Sequence, residues 1–496
     1  MEQKIKETAQ FSESKFAAFY TAIKQQAGKD FSSLIIYLSI LRTYLIIKGR
    51  EHIAPHNMPI FKRFLLWLFE IFLTVYEYVI SLRFKCRFII LNLFYKKTKG
   101  VIVIVEPTHL KQALGMQKYM DKYNPVYITD KRQYIGLIQK SLNTSNILFV
   151  SKVYNNPSKT SNYLPNSLLL KYDLATSAFI QKNLENTLEQ TKNQYNYIKK
   201  LVTLIVKYSK VQFSLTYNDL SLTGRIITEL FNQNNISTLY CMHGLLSDEL
   251  IETFHNCNKY LIFGDYTRPI LQKKGIEDRN IFTIGAPYLE YTLNQKELAN
   301  IASLREKYST KKIALVLLSG RGHTTSNEHH EAIIALLEKT IQQTSNDYHF
   351  IFKLHRKDQV TYYNRILNNP NTANHISIFP YNYFNGNDSI FDWIKISNVV
   401  ITGASTSALE SMYLNKPVIT IDLMQEYEHE TIYITNGSTH HCRSEEEVFE
   451  QLTQLNKANF TLKEQSLATK EAYFSSTQVM DSFFNKTFDK LITPTS

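Results

Sequence analysis

Residues Val399 to Ile421 read VVITGASTSALESMYLNKPVITI, and that order of residue types leaves a chain few ways to fold. The apolar run Val399-Val400-Ile401 stops at a hydroxyl-rich turn, Thr402-Gly403-Ala404-Ser405-Thr406-Ser407. A helical pattern follows from Ala408 to Leu414, and Lys416-Pro417 leads into a second apolar run. Strand, turn, short helix and strand make one βαβ unit, the building block of a parallel sheet. The turn sets backbone N–H groups and three hydroxyls at the positive end of a helix, where a phosphate binds well.

The same grammar recurs along most of the chain. Short β-branched runs occur at Val101–Val105, Val126–Ile128, Ile147–Val150, Val211–Leu215, Thr238–Cys241, Tyr260–Phe263 and Ile281–Ile284. Helical stretches separate several of them, notably Leu184 to Lys207. Runs this apolar are buried on both faces, so they predict a doubly wound α/β domain. The pattern resets after Gly285-Ala286-Pro287: a charged helical segment, Gln295–Tyr308, precedes further strands at Ile313–Leu318, His349–Leu354, Ile376–Phe379, Val399–Ile401 and Val418–Ile421. The organisation expected is a helical extension over 1–99, a first Rossmann-like domain over 100–298, a second over 299–460 and a C-terminal helix over 461–496. At 496 residues the chain is long enough for two domains of about 200 residues each.

Lys and Arg number 56 against 44 Asp and Glu, a net charge of +12 that favours anionic partners. No basic block with interleaved aromatics reads as a nucleic-acid surface, so nucleic acid ranks below phosphorylated substrates and lipid headgroups. The four cysteines, Cys86, Cys241, Cys257 and Cys442, suggest a reducing compartment without a disulfide framework. Cys241-x-His243 and His255-x-Cys257 have zinc-ligand residue types, but the gap between them matches no usual finger or ribbon, and no metal is expected. Met1 to Lys15 lacks the basic-then-apolar order of a signal peptide, which places the expected body of the protein in the cytoplasm.

Phe61 to Tyr95 is the greasiest segment. Glu70, Thr74, Glu77, Ser81 and Lys85 fall on one helical stripe, the remaining faces are apolar or aromatic, and both ends are basic. A spanning helix would place two carboxylates in hydrocarbon. A helix packed on protein, its own core or a partner copy, fits the pattern, as does one lying on the bilayer surface. The expectation carried forward is peripheral association with the inner face of the cytoplasmic membrane; the oligomeric state stays open.

Four motifs stand at strand ends, where doubly wound sheets bind ligands. Ser319-Gly320-Arg321-Gly322 allows close backbone approach to a pyrophosphate, with Arg321 able to pair its charge. His355, beside Lys353, Arg356 and Lys357, sits in a positive setting suited to a donor phosphate. Ser405, Thr406 and Ser407 complete the cradle, and Glu410, one helical turn on, is placed to accept hydrogen bonds from a ribose. His243, in Cys241-Met242-His243-Gly244-Leu245 with Asp248 and Glu249 nearby, is a candidate general base; Glu106 and Asp265, also at strand ends, are the other candidates. His329-His330 and His440-His441-Cys442 lack partners at metal spacing and read as surface residues.

With these motifs in this order the chain resembles GT-B glycosyltransferases of bacterial capsule and cell-surface polysaccharide assembly, with similar motifs in polysialyltransferases and teichoic-acid polyol-phosphate polymerases. The resemblance spans roughly residues 100–460. It maps a His-Gly acceptor-activating element to His243-Gly244, and a Lys-x-His-Pro phosphate element to Lys353-Leu354-His355, with Arg356 where the proline would stand. It implies an inverting, metal-independent transfer from a nucleotide-sugar to a glycan or lipid-linked glycan of capsule or lipopolysaccharide type. On the same architecture, a CDP-polyol phosphotransferase of teichoic-acid type, a sugar-nucleotide epimerase and a non-catalytic membrane scaffold are the alternatives.

Overall fold

The computed structural model of the chain describes residues 99–104, 110–123, 125–129, 147–150, 178–208, 210–219, 221–244, 256–287, 302–318, 320–321, 325–355, 358–379, 390–425, 431–457, 464–474 and 477–488. The Phe61–Tyr95 segment lies outside the described residues, as does the rest of the helical extension up to residue 98. No helix among the described residues is long and apolar enough to cross a membrane.

Two all-parallel sheets organise the protein. The first contains β1 (Lys99–Ile104), β2 (Val126–Thr129), β3 (Ile147–Phe149), β4 (Lys210–Thr216), β5 (Ser237–Cys241), β6 (Lys259–Ile262) and β7 (Ile281–Thr283), in the order β3-β2-β1-β4-β5-β6-β7. The second contains β8 (Lys312–Leu317), β9 (Tyr348–Lys353), β10 (Ile376–Phe379), β11 (Val399–Thr402), β12 (Val418–Ile421) and β13 (His440–Cys442), in the order β10-β9-β8-β11-β12-β13. In each sheet the order reverses beside the first strand, between β1 and β4 and between β8 and β11. Crevices open at such reversals because the crossover helices on either side run to opposite faces. This is a GT-B-like pair of Rossmann-type domains.

Local chemistry explains why the helices start where they do. Ser221 caps α3 (Leu222–Gln233; α1 is Leu110–Met120 and α2 Ala178–Tyr208) by accepting from the Gly224 amide at 3.1 Å. A Cβ on Gly224 would stand 2.0 Å from the Asn218 carbonyl oxygen, so this first turn admits only glycine. After α4 (Thr267–Lys273), Ser326 caps α5 (Asn327–Thr344) through the His329 amide at 3.1 Å.

Two sequence expectations change here. His329-His330 is not on the surface but buried on the inner side of α5. His329 Nε2 accepts from the Leu423 amide at 3.0 Å and lies 3.7 Å from Asp422, while His330 meets the rings of Tyr362 and Tyr363 edge-on. Burial pushes the His330 imidazole below its usual range, opposed by the nearby Asp358 carboxylate. His440-His441-Cys442 is not a surface segment but strand β13, paired in register with Ile419, Thr420 and Ile421, with Cys442 buried. A polar edge strand this short carries no alternation of residue type that would mark it in the sequence.

The C-terminal helices join the two halves. α9 (Glu464–Tyr473; α6 is Ile390–Ile396, α7 Thr406–Tyr413 and α8 Glu445–Lys457) rests on the second domain through Ser466 to the Ser438 carbonyl and Lys470 to Asn415 at 3.0 Å. Its far end presses on the first domain, where a Cβ on Gly264 would stand 2.2 Å from the Ala472 carbonyl oxygen and Tyr266 stacks on Tyr473 at 4.7 Å. α10 (Thr477–Ser482) and the π turn after it then enter the first domain's core. There Phe484 stacks on Tyr119 at 4.3 Å, and Phe488 meets Phe213 edge-on at 5.0 Å.

Candidate functional site

The site begins at the β8/β11 reversal. Thr402, the last residue of β11, donates its hydroxyl to the Leu317 carbonyl at 2.7 Å, tying the two strand ends together. The chain turns through 403–405, and Ser405 caps α7 in an extended conformation (φ −154°, ψ 147°). Its Oγ accepts from the Ser407 amide at 3.3 Å and from the Ser407 hydroxyl at 2.8 Å. Its carbonyl accepts from the Ala408 amide at 3.1 Å, and its amide donates to the Tyr433 hydroxyl at 2.6 Å.

This wiring refines the picture of a cradle offering every amide and hydroxyl. The amides of Ser405, Ser407 and Ala408 are engaged within the protein, and Ser407 is buried against Thr402 at 3.4 Å. Thr406 is the hydroxyl at the domain boundary: its Oγ1 stands 3.1 Å from where a Cβ on Gly244 would be. Glu410, at 8% exposure, is buried on α7 rather than solvated.

On the other side of the reversal, Gly320 and His355 are in contact. A Cβ on Gly320 would fall 2.3 Å from His355 Nδ1, so glycine is what lets the imidazole lie across the end of β8. The neighbouring Arg321 does not present its charge to an open cleft. Its guanidinium pairs with Glu331, donates to Asn327 at 3.3 Å and lies over the Tyr362 ring at 4.7 Å. Its backbone amide donates to Asp358 Oδ1 at 3.0 Å, and Tyr363 donates to Asp358 Oδ2 at 3.2 Å. Asp358 therefore fastens the loop after β8 to the loop after β9. Sequence reasoning passed over it because nothing marks one Asp in a polar loop as a fastener. Lys353, half-buried, ends β9 opposite Phe379. Ser319, Gly322, Arg356 and Lys357 lie outside the described residues.

Across the boundary, His243 follows β5 and is half-buried. Its Nδ1 lies 3.3 Å from the Tyr240 hydroxyl, with the two rings edge to face. Asp265, another candidate base, accepts from Thr283 at 2.5 Å and pairs with Arg268 at 3.2 Å. Glu106, Asp248 and Glu249 lie outside the described residues, as does His255 of the zinc-like pair. Cys241 and Cys257 fall in separate apolar clusters, and burial pushes both thiols up, Cys257 with help from the Asp219 carboxylate. Among the described residues no group of three His, Cys, Asp or Glu side chains gathers as a metal would require.

One apolar core seals the two halves together. Tyr240, Met242, Tyr260, Ile262 and Phe263 of the first domain pack with Ala408, Leu409 and Met412 of α7, and with Tyr433 and Tyr473. α7 thus has its start at the 403–405 turn and its flank against the strand that delivers His243.

Residues 263–479 match the family described as UDP-N-acetylglucosamine 2-epimerase. No curated protein matches the chain. Among solved structures the chain is similar to S. aureus MnaA in a co-structure with UDP, at 14% identity and TM-score 0.55, covering 79% of this chain and 97% of that one. A putative UDP-N-acetylglucosamine 2-epimerase from Listeria monocytogenes is similar at 12% identity and TM-score 0.53, covering 80% and 97%. The Methanocaldococcus jannaschii UDP-GlcNAc 2-epimerase in complex with UDP-GlcNAc and UDP follows at 14% and 0.51, covering 78% and 98%. At these identities the likeness establishes a shared fold. The family match falls on an epimerase rather than on the polysaccharide glycosyltransferases that the motifs resemble.

Proposed function

We propose that this protein is a UDP-sugar enzyme that inverts C2 of UDP-N-acetylglucosamine. The observation that carries this reading is the family match over 263–479, a span that includes Gly320, His355, the 405–407 turn and Glu410. In this reading the diphosphate lies between His355 and the start of α7, and Glu410 holds the ribose. The C2 hydrogen beside an acetal carbon is not acidic, so its removal is easiest if the C1–O bond to UDP breaks as the C1=C2 bond forms. Delivery of a solvent-exchanged proton to the opposite face of C2, with UDP restored at C1, completes the inversion. Charge then collects on the departing diphosphate, where a helix start and an imidazole stabilise it. His243 serves as a proton carrier: with Nδ1–H given to Tyr240, Nε2 holds the lone pair.

A second reading keeps the same donor half and replaces the C2 proton by an acceptor hydroxyl. What supports it is the start of the family match at Phe263, beyond His243-Gly244, so the match speaks to nucleotide-sugar binding more than to the reacting side. The product would then be a glycan of capsule or lipopolysaccharide type, made at the membrane surface by way of Phe61–Tyr95. Incubation with UDP-N-acetylglucosamine in D2O without acceptor separates the readings. Epimer carrying deuterium at C2 supports the first. An unlabelled, unchanged sugar with UDP released only when a glycan is added overturns it in favour of transfer.

A further inference from the structure

Resting on the UDP-sugar reading above, we infer that Tyr433 is a positioning residue for the phosphate turn, acting through the backbone of Ser405. The Tyr433 hydroxyl accepts from the Ser405 amide at 2.6 Å and donates to the Ser405 carbonyl at 3.1 Å. One phenol thus meets both backbone groups of one residue, as a neighbouring strand would. Among the described residues no strand does so: β12 pairs with β11 only as far as Thr402, and the chain has left the sheet by Ser405.

Two features make this a device for the turn. Tyr433 is fully buried in the core between the domains, so its ring is fixed by packing and its hydroxyl is held in one place. It belongs to the short helical turn Ile432–Thr435, which is anchored in turn because the Thr439 amide donates to the Tyr433 carbonyl at 3.1 Å, just before β13. The clamp therefore references the start of α7 to the sheet through a route independent of β11.

Its consequence falls on Thr406. Ser405 held extended is what lets its Oγ cap Ser407 and start the helix at Thr406, opposite Gly244. With Ser405 free to rotate, the cap and the Thr406 hydroxyl lose their common reference, and the helix start becomes mobile at the point where a phosphate would bind.

The test is Tyr433→Phe in the full-length protein, which removes one oxygen and keeps the ring. Two measurements are read: UDP affinity by titration calorimetry, and exchange of the Ser405 amide by hydrogen–deuterium mass spectrometry on ligand-free protein. The expected result is faster exchange over 405–408 and UDP binding weakened about tenfold, on the scale of one hydrogen bond, with Tm shifted by no more than about 3 °C. Unchanged exchange, or unchanged UDP affinity beside a wild type that binds UDP, overturns the positioning role and leaves the UDP-sugar reading standing. A variant whose melting collapses along with binding also overturns it, since the hydroxyl is then structural. A wild type that binds no nucleotide refutes the UDP-sugar reading itself, and the phosphate role of the clamp falls with it.

Discussion

The two sides of the site are built differently. On the donor side, Ser405, Ser407, Thr402 and Tyr433 form a closed set of hydrogen bonds at the start of α7, and Gly320 and His355 are in direct contact across the β8 end. On the first-domain side, His243 after β5 sets its Nδ1 3.3 Å from the Tyr240 hydroxyl, and Gly244 faces Thr406. A wired turn suits the binding of a constant group such as a diphosphate, since its shape is set before the ligand arrives. A half-buried imidazole suits proton movement, which needs a group able to change its charge. In the proposed reading binding and chemistry fall to different domains, and substitutions should separate them.

The largest separation is expected from His243→Ala. Turnover should fall by about 10²–10⁴ while UDP affinity stays within a factor of two, read by steady-state kinetics beside calorimetry. Equal losses in both would erase the division between the halves. Phe484→Ala tests whether the first domain depends on the returning C-terminal helix: removing a ring stacked on Tyr119 in a buried cluster should cost about 3–5 kcal/mol in denaturant unfolding. A cost below about 1 kcal/mol would show that the first domain stands without it. Gly320→Ala strikes at the donor side alone. The added Cβ forces His355 aside, and UDP affinity should drop about 10- to 100-fold with turnover at saturation less affected.

The smallest effect concerns pH and again the second domain. His349, at the start of β9, accepts or donates with Ser377 at 2.9 Å and stacks on Tyr308 at 4.9 Å. Burial, with Lys311, His375 and Lys307 nearby, pushes its imidazole down to about 4. The folded form therefore binds its proton less readily than the unfolded chain, so the contribution to stability is present above about pH 6.5 and is lost as pH falls toward 4. For a half-buried group the effect is on the order of 1 kcal/mol. His349→Gln should flatten the decline in unfolding free energy between pH 6.5 and 4, and an unchanged slope would remove His349 as its source.

Much of the architecture was legible in the sequence. The βαβ unit at 399–421 and the β-branched runs report directly on burial, because a parallel strand covered on both faces admits little else. The hydroxyls at 405–407 were legible for a similar reason, since a helix start constrains the residue type, whereas glycine at 320 is required by the His355 ring from the next strand end. Arg321 shows where that reading stops. Its charge and position at a strand end are those of a phosphate ligand, yet Glu331, ten residues on and one helix away, takes the guanidinium. His329 and His330 were misplaced because a helix with two adjacent histidines gives no sign of which face packs inward. Tyr433 was invisible for the same reason, as nothing near it in sequence points to Ser405.

By itself, the sequence determined the two sheets, the strand-end positions of the motifs and the hydroxyl-capped helix start after the 402–405 turn, since each follows from residue type acting over a few neighbours. Only the tertiary structure decided which of those groups are available. An ion pair to the following helix engages Arg321 with Glu331, and contacts between residues far apart in the chain engage the Ser405 amide with Tyr433 and set Thr406 against Gly244. Such pairings depend on how two sheets and the helix that returns to the first of them pack together, and no local pattern encodes that.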